Sequence, residues 1–191
     1  MKRFNLTLEN NSDRRHREEE KWQKQRLSRL LKEIANELDL SLDLGWWDAS
    51  GYGTSKKAMI ITEDGLLMKA SEIGRGKSKK GRDSKAFDAI ATLSNKVKTL
   101  NVFFFCKYTK ERGGNQDSIM YEVVKTTDNI AKNNSDDNLF FFLMEGDRWD
   151  GNEELQNDRG FSDKATLLPT NGDDNEIKKE IKHSIIKYFN N

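Results

Sequence analysis

Two stretches decide the fold: Asn101-Val-Phe-Phe-Phe-Cys-Lys-Tyr-Thr109 and Leu139-Phe-Phe-Phe-Leu-Met144. The second is apolar at every position, so a strand built from it presents apolar side chains on both faces. Such a strand belongs in a central or parallel position of a sheet. Between the two, Gln116 to Lys132 repeats Ile119, Met120, Val123, Val124 and Ile130 at helical spacing, one apolar face to lay on that sheet. Upstream, Ala86 to Leu93 reads as a further strand, with a turn between Ser94-Asn95 and Lys98-Thr99. Ala58 to Thr62 and Leu66 to Ala70 flank Glu63-Asp64-Gly65, a hairpin signal carried by the Asp-Gly turn.

Outward from this centre, Ser12 or Asp13 can cap a helix running to about Leu38. Its first part, Arg14 to Arg26, is charged except for Trp22. Its second part carries an inward stripe at Leu27, Leu30, Leu31, Ile34, Ala35 and Leu38. Residues 1–11 are polar and expected to be loose. Gly45-Trp46-Trp47-Asp48 and Gly51-Tyr52-Gly53 read as an aromatic loop, and Arg148 to Asp163 as a polar one. Residues 175–189 form an amphipathic helix with Ile177, Ile181, Ile185, Ile186 and Phe189 inward. The order of helices and strands implies an α/β fold, a three-layer sandwich around one mixed β-sheet. The 191 residues fit a single domain, with residues 1–26 as a charged helical extension.

Composition narrows the classes. Apolar residues make up 35% and charged residues 34%, so the core is modest and the surface heavily solvated. A net charge of +1 excludes a uniformly basic coat and confines any polyanion binding to local patches. One cysteine excludes an internal disulfide, and with two histidines it cannot build a Cys/His zinc cluster. No apolar run approaches a membrane span and the first residues lack a signal-peptide core, so no membrane association and a cytoplasmic location are expected.

Residues 74–85 place Arg75, Lys77, Lys79, Lys80, Arg82 and Lys85 against Asp83 alone, a tract suited to a nucleic-acid backbone or simply to a solvated linker. A nucleotide P-loop is excluded because no Gly-x4-Gly-Lys-Ser/Thr pattern is present. Close by, an acid, a lysine and a second acid can converge. Asp88 starts one strand among apolar neighbours, where a bare carboxylate is costly to desolvate. Lys107 ends the next strand on the face shared by Phe103 and Phe105, and Glu122 lies on the following helix. Carboxylates with a divalent ion and an ammonium group are what phosphodiester hydrolysis requires: the ion activates water and the cation meets developing charge. Each residue also has an ordinary reading. Asp88 can be a turn residue, Lys107 an edge-protecting lysine, and Glu122 a solvated surface acid. Glu145 and Asp147 at the end of the apolar strand, or Asp64 in the hairpin, are alternative metal ligands. Cys106 reads as a buried filler, and His16 and His183 have no assigned role.

An Asp on one strand, followed about twenty residues later by a strand ending near a lysine, then by a helix and a second apolar strand, resembles the PD-(D/E)XK nuclease superfamily. The segment from Gly114-Asn115 through Glu122 to Phe140-Phe-Phe-Leu-Met-Glu145-Gly146 is similar to type II restriction endonucleases that cut AATT-centred sites. The resemblance spans roughly residues 60–150, within a nuclease core set at 58–150, and implies a restriction-endonuclease-like sheet. It departs at two positions: Phe105 stands where the acid before the lysine is expected, and Phe87 where a proline precedes the Asp. Some members of the superfamily take that acid from the next helix, and Glu122, fifteen residues after Lys107, matches the swap. The resemblance therefore implies Asp88 and Glu122 as Mg²⁺ ligands and Lys107 as the catalytic ammonium.

The expectation that follows is a Mg²⁺-dependent deoxyribonuclease, a type II restriction or phage defence endonuclease acting on double-stranded DNA as a homodimer. Arg75, Lys77, Lys79, Lys80, Arg82, Lys85 and Arg112 would be its DNA contacts, most of them to phosphates. Two alternatives stand beside it: a catalytically inactive DNA-binding or regulatory protein on the same scaffold, and a phage-type protein-interaction module using the charged first helix.

Overall fold

The computed structural model describes residues 2–47, 58–72, 86–109, 116–146, 161–162 and 164–190. Its elements in chain order are α1 (Lys2–Glu37), β1 (Ser41–Trp47), β2 (Met59–Ile61), β3 (Leu67–Lys69), β4 (Ala89–Ser94) and β5 (Thr99–Tyr108). They continue with α2 (Gln116–Ala131), β6 (Asn138–Glu145), β7 (Ala165–Leu167) and α3 (Asp174–Asn190). Five strands form one sheet in the order β1-β4-β5-β6-β7, and β2 and β3 form a separate antiparallel hairpin. The β1-β4 and β4-β5 pairs are antiparallel, whereas β5-β6 and β6-β7 are parallel, so the sheet is mixed.

The apolar runs take the centre of the sheet because only there are both faces covered. On one side Leu100, Val102, Phe104, Cys106, Phe141 and Leu143 meet the stripe of α1 and the inward isoleucines of α3. On the other, Phe103, Phe105, Phe140, Phe142 and Met144 meet Val123 and Ile130 of α2 and Ile61 of the hairpin. The fold is thus α/β, with helices on both sides of a mixed sheet. The parallel register sets Phe103 on Phe140, Phe104 on Phe141 and Phe105 on Phe142, with ring centroids 5.0, 5.5 and 5.4 Å apart.

The hairpin forms as its turn residues dictate, with Gly65 at φ 77°. It is docked on the end of α2, where Asn133 Nδ2 donates to Gly65 O at 2.7 Å and Lys132 Nζ to Glu63 O at 2.9 Å.

Three elements differ from the sequence reading. Helix α1 begins at Lys2, so residues 2–11 are helical and not a loose segment; the sequence has no glycine before Gly45 and its one proline is Pro169. Gly45, Trp46 and Trp47 belong to strand β1 and not to a loop. Leu42 and Leu44 alternate onto the core, and a register shift between Asp43 and Trp46 absorbs Gly45. The three-residue strand β7 went unread because it is short and has polar flanks. The basic residues from Arg75 to Lys85, and with them Arg112, Asp147 and most of Arg148 to Asp163, lie outside the described residues.

Helices α1 and α3 are joined along their outer edge by Lys178 with Glu33 and Glu37, at 2.8 and 2.7 Å, and by Lys182 with Glu37 at 2.8 Å. The hydrogen bond from Lys178 is the main reason that the Glu37 carboxyl is lowered to about 2 and that Glu33 is lowered too. Groups with depressed folded values stabilise the fold above their unfolded pKa, and that stabilisation is lost as pH falls through the folded value. Urea unfolding midpoints should therefore drop between about pH 4.5 and 2, and Lys178→Met should flatten that drop; parallel curves for variant and wild type would refute the assignment. Gly146, at φ 107°, closes β6 so tightly that an added Cβ would lie 2.1 Å from the Thr109 carbonyl oxygen. Gly146→Ala is expected to destabilise by about 1–3 kcal/mol in chemical denaturation.

Candidate active site

β4 and β5 diverge just before Ala89, and Asp88 stands at that opening. Its amide donates to Phe104 O at 2.8 Å, and its Oδ2 accepts the Cys106 amide at 2.8 Å. The carboxylate thus takes the place of the next ladder carbonyl, between Phe105 and Lys107 on the neighbouring strand. This satisfies an amide that the end of β4 leaves open, and it leaves Oδ1 available for other contacts.

Lys107 is half-buried near the end of β5, and its ammonium lies over the Phe105 ring, 5.2 Å from the centroid. Phe105 is itself fully buried against Phe142. Phe105 is therefore a core side chain, whose outer face the lysine covers. Glu122 belongs to the turn of α2 that also carries Ile119 and Val123, which pack on this same side of the sheet. It does not face bulk solvent: the residue is half-buried and its Oε2 is inaccessible. The far end of α2 is held at the hairpin, which leaves the Glu122 half of the helix toward the C-terminal end of β5. Asp88 and Lys107 are brought to one end of β5, and Glu122 sits on the helix covering that face.

Glu145 points the other way. Alternation sends Phe140, Phe142 and Met144 toward α2 and Glu145 toward α1. There Arg26 Nη1 meets its Oε1 at 2.6 Å, and Gln23 Nε2 donates to its Oε2 at 2.7 Å. Arg26 also bonds Asp174 and, at 2.6 Å, the Gly172 carbonyl, tying the start of α3 to the end of β6. With Glu145 in a buried ion pair on the opposite face, it is not an alternative ligand beside Lys107. Asp64 is exposed in the hairpin turn.

Gln23, Lys24 and Arg26 were read from sequence as part of a charged, solvated half-helix; all three are buried. A signal was present: Gln23, Arg26, Leu27 and Leu30 continue the i, i+3, i+4, i+7 stripe one turn upstream, with polar residues in apolar positions. Cys106 is the buried filler expected, and burial pushes its thiol pKa well up.

Among the described residues, no group of three or more His, Cys, Asp and Glu side chains is gathered as a metal cage, and no helix is long and apolar enough to cross a membrane. No family model, curated protein or solved structure matches the chain.

The bond from Asp88 to the Cys106 amide separates two roles of this carboxylate. Asp88→Asn keeps an acceptor oxygen and should hold its melting temperature within about 2 °C of wild type, whereas Asp88→Ala leaves the amide open at a cost of about 1–3 kcal/mol. Equal stability of the two variants in denaturant titration would show that the bond contributes nothing.

Proposed function

We propose that this chain is a Mg²⁺-dependent endonuclease of double-stranded DNA on a restriction-endonuclease-like core, working as a homodimer at palindromic sites. The observation that carries the reading is that Asp88, bonded to the Cys106 amide, and Lys107, over Phe105, stand at the same end of β5, beside a helix that carries Glu122 with one carboxylate oxygen buried. Two carboxylates suit Mg²⁺, which keeps several waters and takes its remaining contacts from substrate phosphate. Asp88 through its second oxygen and Glu122 through its inward one would hold the ion. Once bound, it supplies Lewis-acid polarisation of the phosphoryl group and a more acidic water. Lys107 brings a positive charge to the phosphate oxygens, and its position over an aromatic ring limits the directions it can take. Phe105, Phe142 and Met144 keep the floor of the site dry, which strengthens each charge above it. The tract Arg75, Lys77, Lys79, Lys80, Arg82 and Lys85, together with Arg112, supplies the phosphate contacts in this reading, and base readout falls to neighbouring polar side chains.

Phe105 favours one competing reading. A buried phenylalanine at the position of an acid is the change that would leave a DNA-binding protein without catalysis. Digestion of plasmid and phage DNA with Mg²⁺ or with EDTA separates the two. Discrete, Mg²⁺-dependent fragments are expected. Lys107→Ala should lower the cleavage rate by about 10²-fold or more while DNA affinity stays within about threefold, because one ammonium among many phosphate contacts adds little to binding. Wild-type cutting by that variant would remove Lys107 from the site. Intact DNA with a retained, salt-sensitive mobility shift would favour the inactive binding protein.

A further inference from the structure

We propose that Gln23 of α1 is a positioning residue for Lys107, acting with Arg26 through Glu145; the inference rests on reading Asp88, Lys107 and Glu122 as the active site. Gln23 is fully buried. Its Nε2 donates to Glu145 Oε2 at 2.7 Å and reaches the Lys107 carbonyl oxygen at 3.4 Å. A carboxylate facing an amide can only accept, so the orientation of the amide is fixed. That orientation leaves Gln23 Oε1 buried and without a hydrogen-bond partner among the described residues.

A buried amide oxygen with no donor is a cost to the fold. Leucine, close in volume, would remove that cost but would take the donor from Glu145 Oε2. The same amide that satisfies Glu145 also touches the backbone of the residue carrying the proposed catalytic ammonium.

The rest of the cluster makes Gln23 a fixed point. Arg26 grips Glu145 Oε1 at 2.6 Å, and the same guanidinium bonds Asp174 and the Gly172 carbonyl. Backbone bonding carries the constraint onward: Tyr108 pairs in register with Glu145, and the Thr109 amide donates to Glu145 O at 2.9 Å. β5 just after the Lys107 side chain is thus referenced to α1. Asp88 fixes the same strand from its other edge through the Cys106 amide. The direction of the Lys107 side chain follows from a backbone held at three points, and a small misplacement of such a group costs rate more than binding.

The test uses full-length wild type, Gln23→Leu, Gln23→Met and Lys107→Ala, each made with ¹³C-labelled lysine so that Lys107→Ala identifies the Lys107 Cε resonance. In both Gln23 variants the melting temperature is expected to fall, because Glu145 Oε2 loses its donor, while DNA affinity is unchanged and cleavage at saturating DNA, per folded protein, is about tenfold slower. The Lys107 resonance is expected to titrate at a different pH from wild type. Cleavage at the wild-type rate, or a Lys107 titration identical to wild type, overturns the proposal; so does a loss of rate matched by an equal loss of folded protein. If the wild-type chain cuts no DNA, the endonuclease reading fails by itself, and the Lys107 titration still decides whether Gln23 sets the lysine.

Discussion

Eight consecutive residue pairs, from Asn101 with Asn138 to Tyr108 with Glu145, join β5 to β6 in parallel, and the other elements are placed by that seam. A parallel pair needs a crossover, which is supplied by α2, and it needs cover on both faces, which fixes where α1, α3 and the hairpin lie. The phenylalanines make the register specific. A slip by one residue would turn each stacked pair to the opposite face and separate Phe103, Phe104 and Phe105 from their partners. Aromatic pairs of this kind add about 0.5–1.5 kcal/mol each beyond the area they bury. The same seam brings Lys107 and Glu145 to one end of the sheet on opposite faces.

Charge is used differently on the two sides of that end. Toward α1, Arg26 and Glu145 are both almost wholly buried, at 6% and 7% side-chain exposure, and are satisfied by Gln23, Gly172 and Asp174. A buried pair of this kind contributes little net stability because desolvation offsets attraction, but removing one partner is severe. Its value lies in the geometry it fixes. Along the outer edge of α1 and α3, the lysine and glutamate pairs are exposed, screened and individually weak. Toward α2, Asp88 and Lys107 stand beside a floor of phenylalanine, and a charge there is strengthened by its dry surroundings.

Phe105 links the fold to the proposed chemistry. It is a core residue by packing, set against Phe142 in the central seam, and by resemblance it stands where an acid is expected. A carboxylate at this depth would require a metal or a cation to offset its burial. Glu122 stands on a helix over the same face, from which, in the proposed site, an acid would serve without entering the core. The displaced carboxylate is thus compatible with a fuller aromatic layer beneath it.

Much of this was legible in the chain. The two apolar strands, the helix between them, the Asp-Gly hairpin and the C-terminal helix announce themselves through periodicity and turn chemistry, both local properties. Asp88, Lys107 and Glu122 were candidates by spacing alone, and the side on which Lys107 lies followed from the alternation of a strand. Helix α1 was underextended because polar residues suggested a cap where nothing in fact breaks the helix. β1 was mistaken for a loop because its bulge mimics one. What the sequence alone determined is which segments must be buried together. Only the tertiary structure decided that Glu145 turns from Lys107 to Arg26, and that Gln23 and Lys24 are interior. Sequence spacing sets the face on which a side chain stands, but its partner comes from elements distant in the chain, and those meet only when the sheet is covered on both sides.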